Sequence, residues 1–179
     1  AQWSVMDAMK PGISWKDMHD LSYRVILTRL RDVVGVLRKD ASVEDMMRAN
    51  VASLFMMHGL GHFIGLNVHD VGGYPRVGGR PRPKEPGYRS LRTARVLQKG
   101  MCLTVEPGIY FNAYAMSTAT EKQKSFIVRD RFDDFRSFGG VRIEDVVVVT
   151  ETGIENLTNC PRTVGDIEGL PFFEAIRQL

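Results

Sequence analysis

His58-Gly59-Leu60-Gly61-His62-Phe63-Ile64-Gly65, continuing into Val68-His69-Asp70-Val71-Gly72-Gly73-Tyr74, is the stretch from which the rest of this chain is read. Three of the chain's four histidines fall within it. Imidazole is a common metal ligand and titrates near neutral pH. The interleaved glycines let the backbone turn tightly and bring side chains close to one centre. A single histidine among glycines is ordinarily a core or surface residue; three at this spacing point to a site. His58 and His62 stand four apart, as in the helical H-E-x-x-H zinc site. Gly59 stands where that motif needs its glutamate, and two glycines within five residues oppose a helix. The histidines are therefore expected on a turn and a short strand, and both need not bind one metal.

The 179 residues suit one ordinary domain, and 44% hydrophobic content supports a folded core. A net charge of +3 and a pI near 9.0 are mildly basic, unlike a dedicated nucleic-acid binder. Two cysteines, Cys102 and Cys160, make no disulfide framework, and Cys102 is expected to be buried as a small hydrophobe. This usage suits a reducing compartment, the cytoplasm. No apolar run reaches membrane-spanning length and no signal peptide opens the chain, so no membrane partner is expected.

Upstream of the histidines, Ala1 to Met9 reads as the tail of a helix stopped by Lys10-Pro11-Gly12. It has no N-cap and nothing before it to cover its apolar side, so the natural protein is expected to continue upstream. Ser14-Trp15-Lys16-Asp17 reads as an N-cap with an acid at N3. Trp15, Met18, Leu21, Val25 and Ile26 form a helical stripe, and the helix should run to about Leu37. Ser42 starts another helix with Met46, Met47, Val51, Leu54 and Phe55 inward. The methionines are core fillers rather than a soft-metal site.

Downstream, Pro75 to Ser90 is a loop, and from Arg76 to Lys99 eight Lys or Arg residues face one acid, Glu85. Without interleaved aromatics this is a solvated basic loop and no nucleic-acid platform. One or two of its arginines could grip an anionic substrate group, since guanidinium holds carboxylate with two parallel hydrogen bonds. Met101 to Val105 reads as a buried strand delivering Glu106 just before Pro107-Gly108, and Ile109-Tyr110-Phe111 resumes extended structure. A carboxylate there must be paired, protonated or metal-bound. Asn112 to Phe138 is a long polar excursion, part helical. Val141 to Val149 is the clearest strand, with Val141, Ile143, Asp145 and Val147 on one face and Arg142, Glu144, Val146 and Val148 on the other. Its four consecutive valines predict burial on both faces, which makes Glu144 a second carboxylate on a buried strand. Thr150 to Leu157 reads as a turn and short strand, and Pro161 onward as a helical tail.

Four motifs now stand in order: His58-Gly-Leu-Gly-His62-Phe-Ile-Gly, Val68-His69-Asp70-Val-Gly-Gly-Tyr74, Thr104-Val-Glu106-Pro-Gly-Ile-Tyr110 and Gly140-Val-Arg142-Ile-Glu144-Asp145. Together with Val149-Thr-Glu-Thr-Gly-Ile-Glu-Asn-Leu-Thr158 they resemble the pita-bread metallopeptidases that cleave Xaa-Pro bonds. The likeness runs from the first helix to about residue 165. Leu91-Arg92-Thr93-Ala94-Arg95, Gly72-Gly73-Tyr74-Pro75 and Phe135-Arg136-Ser137-Phe138-Gly139-Gly140 look most like the eukaryotic prolidase branch.

The resemblance implies an α+β fold, part of a pita-bread domain with helices on one side of a curved, mainly antiparallel sheet. It implies two divalent cations, commonly manganese, with zinc or cobalt as alternatives, held by two aspartates, one histidine and two glutamates. By motif match the ligands here are His62, Glu106 and Glu144. Glu106 is also the implied proton shuttle. His69 would contact the substrate near the scissile carbonyl, His58 would support the site, and Arg92 would hold the free carboxylate of a dipeptide. Arg142 would orient a carboxylate beside the substrate. The implied substrate is a proline-containing di- or oligopeptide, and the implied full-length protein is a homodimer.

Both implied aspartate ligands lack a match. No aspartate pair here has the family's spacing within paired strands, and Asp7 and Asp17 fall on helix ends. Residues 1–179 are therefore expected to be the C-terminal portion of the catalytic domain, inactive alone. Three readings stand open: a prolidase, an Xaa-Pro aminopeptidase of the same fold, and a non-catalytic peptide-binding module on that fold. Arg92 and its loop favour the first, and the retention of His62, Glu106 and Glu144 weighs against the third.

Overall fold

The computed structural model describes residues 1–74 and 81–169. The first six residues of the expected Pro75–Ser90 loop, and the end of the C-terminal tail from 170, lie outside them. The fold is α+β, with every strand pair antiparallel.

The first helix, α1 (Gln2–Ala8), buries Val5 and Met6, and Met9 follows them into the core. The expectation that its apolar side lacks cover is corrected, because α1 lies against both α2 and β1 within this chain. In α2 (Trp15–Arg29), Ser14 occupies the N-cap position, but its hydroxyl makes no capping bond. Asp17 N–H donates instead to the Ser14 carbonyl at 3.0 Å, and the Trp15 main-chain N–H to the Arg95 carbonyl at 2.9 Å. The helix buries Trp15, Met18, His19, Ser22, Tyr23, Ile26 and Leu27. That stripe is rotated from the expected one, leaving Leu21 and Val25 at its half-exposed border. It also ends early. A π-helical turn, Leu30–Val34, stops at Gly35, whose φ of +77° is left-handed.

The next expected helix divides in two. α3 (Val43–Arg48) is capped by Ser42, whose hydroxyl accepts from Asp45 N–H at 3.0 Å. Asn50, at φ +54°, breaks the path before a 3-10 turn at Val51–Leu54. Met46, Val51, Leu54 and Phe55 are buried as expected, while Met47 stays half-buried.

Strand β1 (Cys102–Val105) pairs with β4 (Asp145–Val149), which pairs in turn with β5 (Ile154–Asn156). Strand β2 (Gly108–Tyr110) pairs with β3 (Gly140–Arg142) in a separate ribbon. Between β2 and β3 run α4 (Ala113–Ser117), α5 (Glu121–Lys124) and α6 (Arg129–Asp133), and the tail carries α7 (Val164–Glu168). The single strand expected over 141–149 is thus corrected. It splits at Ile143–Glu144, across from the split at Glu106–Pro107. Pro107 has no N–H to continue a ladder. Val141 and Ile143 are 48% and 44% exposed, and in β4 Val147 and Val149 are buried while Val146 and Val148 are half-buried, so the expected burial on both faces is corrected.

The glycine–histidine stretch lies along the free edge of β1. Thr104 N–H donates to the His62 carbonyl at 2.9 Å, and Glu106 N–H to the Leu60 carbonyl at 2.8 Å. Gly61 is required there, since a Cβ would collide with the Thr104 carbonyl. Cys102 is half-buried rather than fully buried, and both cysteines are free.

His19 is fully buried, its ring 4.2 Å from that of Tyr23 and 4.9 Å from that of Tyr88. Among the described residues neither ring nitrogen has a hydrogen-bond partner. Burial drives its pKa from about 6.5 down to about 3, although nearby Asp20 opposes the shift. The folded state therefore holds His19 neutral, while the unfolded chain binds a proton below about 6.5. Its contribution is complete above pH 6.5 and is lost as pH falls toward 3. His19→Leu should flatten the fall in unfolding free energy over that window, measured by urea titration at a series of pH values. An unchanged slope would assign acid sensitivity to other groups.

Candidate metal centre

Both breaks in the β-ribbons place a carboxylate. Glu106 follows β1 and Glu144 precedes β4, and the flanking rungs Val105↔Asp145 and Gly108↔Arg142 hold the two breaks opposite each other. His62 arrives from the paired edge stretch. One ligand atom from each of His62, Glu106 and Glu144 lies within 4.8 Å of the others. Atoms bound to one first-row cation at about 2.0–2.2 Å stand up to roughly 4.4 Å apart, so small side-chain rotations close the difference.

Three details determine how these groups face one another. The His62 Nδ1 lies 2.9 Å from the Phe63 carbonyl and donates to it, which leaves the Nε2 lone pair bare in the neutral ring. That Nε2 stands 3.3 Å from Glu106 Oε1. The Thr104 hydroxyl accepts from His62 N–H at 3.0 Å and donates to Glu106 Oε1 at 3.0 Å. One side chain thus fixes both groups, a role sequence analysis missed. Its only sequence signal is the alternation that turns Thr104 and Glu106 to the same side of β1.

A cation suits this donor set. A positive charge between His62 Nε2 and Glu106 Oε1 would favour their close approach, and one imidazole with carboxylates suits a divalent first-row cation. The second carboxylate is less enclosed than expected. Glu106 is 8% exposed. Glu144 is exposed, which corrects its assignment to a buried strand, and Asp145 takes the buried position at 1% exposure. Arg142 reaches Glu106 rather than its strand neighbour Glu144, with Nη1 3.7 Å from Oε2.

The remaining expected residues line one cavity of about 210 Å³ that includes His58, His69, Arg92 and Arg142 beside His62 and Glu106. The exposed His69 ring stands 4.4 Å from that of His62. Desolvation, with the Arg92 charge, holds its pKa below the ordinary value. His58 lies outside the ligand cluster. Its Nδ1 donates to the Gly59 carbonyl at 2.8 Å, its ring stands edge-on to Tyr110, and its buried Nε2 has no hydrogen-bond partner among the described residues. Burial lowers its pKa, partly offset by that hydrogen bond and by Glu106. Both histidines are thus biased toward the neutral form. Arg92 follows the 3-10 turn Tyr88–Ser90, anchored by Tyr88 O–H donating to Asp20 Oδ1 at 2.7 Å. Ser90, which sequence analysis gave no role, also lines the cavity.

The sequence profile of metallopeptidase family M24 matches residues 1–151. Xaa-Pro dipeptidase of Homo sapiens is 54% identical over 167 residues, covering 92% of this chain and 33% of that protein. A probable Xaa-Pro aminopeptidase of Pyrenophora tritici-repentis is 36% identical over 171 residues, covering 94% of this chain and 35% of that protein. The structure of Pseudomonas aeruginosa aminopeptidase PepP superposes with a TM-score of 0.66 at 36% identity, over 99% of this chain and 33% of that one. The chain thus spans about a third of the length of the relatives it matches. A profile match over most of its length, joined to this convergence of histidine and carboxylates, makes the chain a member of metallopeptidase family M24.

Proposed function

We propose that the polypeptide carrying this chain hydrolyses Xaa-Pro dipeptides with two divalent cations, manganese in the first instance, and that His62, Glu106 and Glu144 are three of the cation ligands. The observation that carries this is the 4.8 Å convergence of those three side chains. Arg92 in the same cavity supports a dipeptide rather than a longer peptide, because its guanidinium can pair with the free carboxylate one residue beyond the scissile bond. When bound, such cations polarise a carbonyl and make water nucleophilic at neutral pH.

The chain's own residues supply the rest. His69 offers an N–H to the carbonyl oxygen as charge develops on it. Glu106 takes a proton from the attacking water and returns it to the proline nitrogen as the C–N bond breaks. Arg142 and the Thr104 hydroxyl hold Glu106 in place from two sides. His58 keeps a neutral acceptor beside the site. Two free cysteines favour a reducing compartment, the cytoplasm. Among the described residues no helix is long and apolar enough to cross a membrane.

Three measurements test this. Glu144→Gln should weaken Mn²⁺ binding by more than the ~10–100-fold usual for an outer residue. Calorimetric titration beside the surface control Glu151→Gln reads this directly, and equal affinity in both variants removes Glu144 from the ligand set. Arg92→Ala should cost Gly-Pro cleavage about 1.5–3 kcal/mol, roughly tenfold to a hundredfold in kcat/KM, while sparing a tripeptide with proline second. Equal loss on both substrates favours the aminopeptidase reading. Finally, these 179 residues bring three of the five implied ligands, so the chain by itself should show little turnover of Gly-Pro with added Mn²⁺. Turnover matching a full-length relative would mean that it completes the site by another route.

A further inference from the structure

We propose that Arg162 is a positioning residue for the two glutamates: with Asp145 and Gln2 it clamps the last β1–β4 rung, one residue from Glu106 and one from Glu144. This rests on the reading of those glutamates as cation ligands. Arg162 stands beyond the residues that the family profile matches, and nothing in the mechanism above uses it.

The clamp is built from both ends of the chain. Val105 and Asp145 are direct partners in the ladder. Asp145 is 1% exposed, and a carboxylate so enclosed requires partners. Its Oδ2 accepts from Arg162 Nη1 and from Asn156 Nδ2, the latter at 3.0 Å. Arg162 Nη1 also reaches Gln2 Oε1 at 3.5 Å, and Gln2 Nε2 donates to the Val105 carbonyl at 3.3 Å. One guanidinium therefore touches Asp145 directly and Val105 through Gln2. Its Nη2 donates to the Thr158 carbonyl at 3.1 Å, and the Thr158 hydroxyl accepts from Val146 N–H at 2.8 Å. The segment after β5 is thereby tied along β4.

Beyond this rung the regular ladder stops. Ile143 N–H to the Pro107 carbonyl, at 3.4 Å, is the cross-break main-chain bond before the next ribbon begins. The separation of Glu106 from Glu144 is therefore set largely by how firmly the Val105↔Asp145 rung is held. Lysine could neutralise Asp145 but could not make the forked contacts to Gln2 and Thr158. Charge neutralisation and positioning thus predict different behaviour for a lysine at this place.

Mn²⁺ titration calorimetry on the chain as it stands, with Arg162→Lys and the double variant Asp145→Asn/Arg162→Met, separates them. The double variant removes the buried charge pair at similar volume, a change that commonly leaves stability intact. Both variants should keep the metal-free melting temperature and circular dichroism of the parent chain, yet bind Mn²⁺ about tenfold to a hundredfold more weakly. Parental affinity in either folded variant overturns the positioning role and leaves neutralisation of Asp145. Failure of both to fold also overturns it, assigning the pair to stability alone. A parent chain that takes up no Mn²⁺ removes the ligand assignment and this proposal together, an outcome distinct from the other two.

Discussion

The site depends on β1 being paired along both edges while its ladder is interrupted at Glu106–Pro107. On one edge, main-chain bonds from Thr104 and Glu106 fix the glycine–histidine stretch. On the other, β4 is held in register through Val105↔Asp145. A continuous strand would turn successive side chains to opposite faces and give each its own ladder environment. The break lets β1–β4 and β2–β3 form separate ribbons, with a glutamate on each side of the gap. His62 reaches the same place only because Gly61 lets its backbone approach Thr104.

Enclosing Glu106 carries an electrostatic cost that several neighbours share. The Thr104 hydroxyl donates to one oxygen, and the Arg142 guanidinium stands 3.7 Å from the other. Arg142 is itself half exposed, so the pair contributes little to stability and acts mainly in orientation. Across the sheet, Asp145 meets the opposite condition. It is sealed from solvent, and its partners are Asn156 and Arg162, with Gln2 reached only through Arg162. Adjacent carboxylates, Glu144 and Asp145, thus face different demands because the pleat turns one to the exposed side, within reach of His62 and Glu106, and the other to the buried side, where Asn156 and Arg162 meet it.

Motif and alternation singled out three side chains that converge in the structure, His62, Glu106 and Glu144, and put Glu144 and Asp145 on opposite faces. They did not indicate where the strand changes partner, because a period of two is the same before and after a break. Hence Glu144 was read as buried when it is exposed, and Asp145 passed without comment. The end of α2 was misjudged for a related reason. Val36 and Leu37 are buried and continue the apolar pattern, but Gly35 takes a left-handed turn within it. Thr104 and His19 were missed because their roles come from groups distant in sequence: Gly61 and His62 for one, Tyr88 and His58 for the other.

The cavity joins two kinds of support. His62, Glu106 and Thr104 are buried and cross-linked by main-chain and side-chain bonds, so their spacing changes little without disrupting the sheet. His69 sits instead on a loop whose Leu66, Val68 and Val71 are exposed at 101%, 69% and 84%. That loop is held locally by Asp70 N–H to the Phe63 carbonyl at 3.0 Å and by Asp70 Oδ1 accepting from Val71 N–H at 2.9 Å. Segments with few buried contacts open at lower free energy than core strands. In the proposed function a cation needs fixed ligand distances, whereas a peptide must enter and leave. The division between sheet-borne His62 and loop-borne His69 meets both requirements within one twelve-residue stretch.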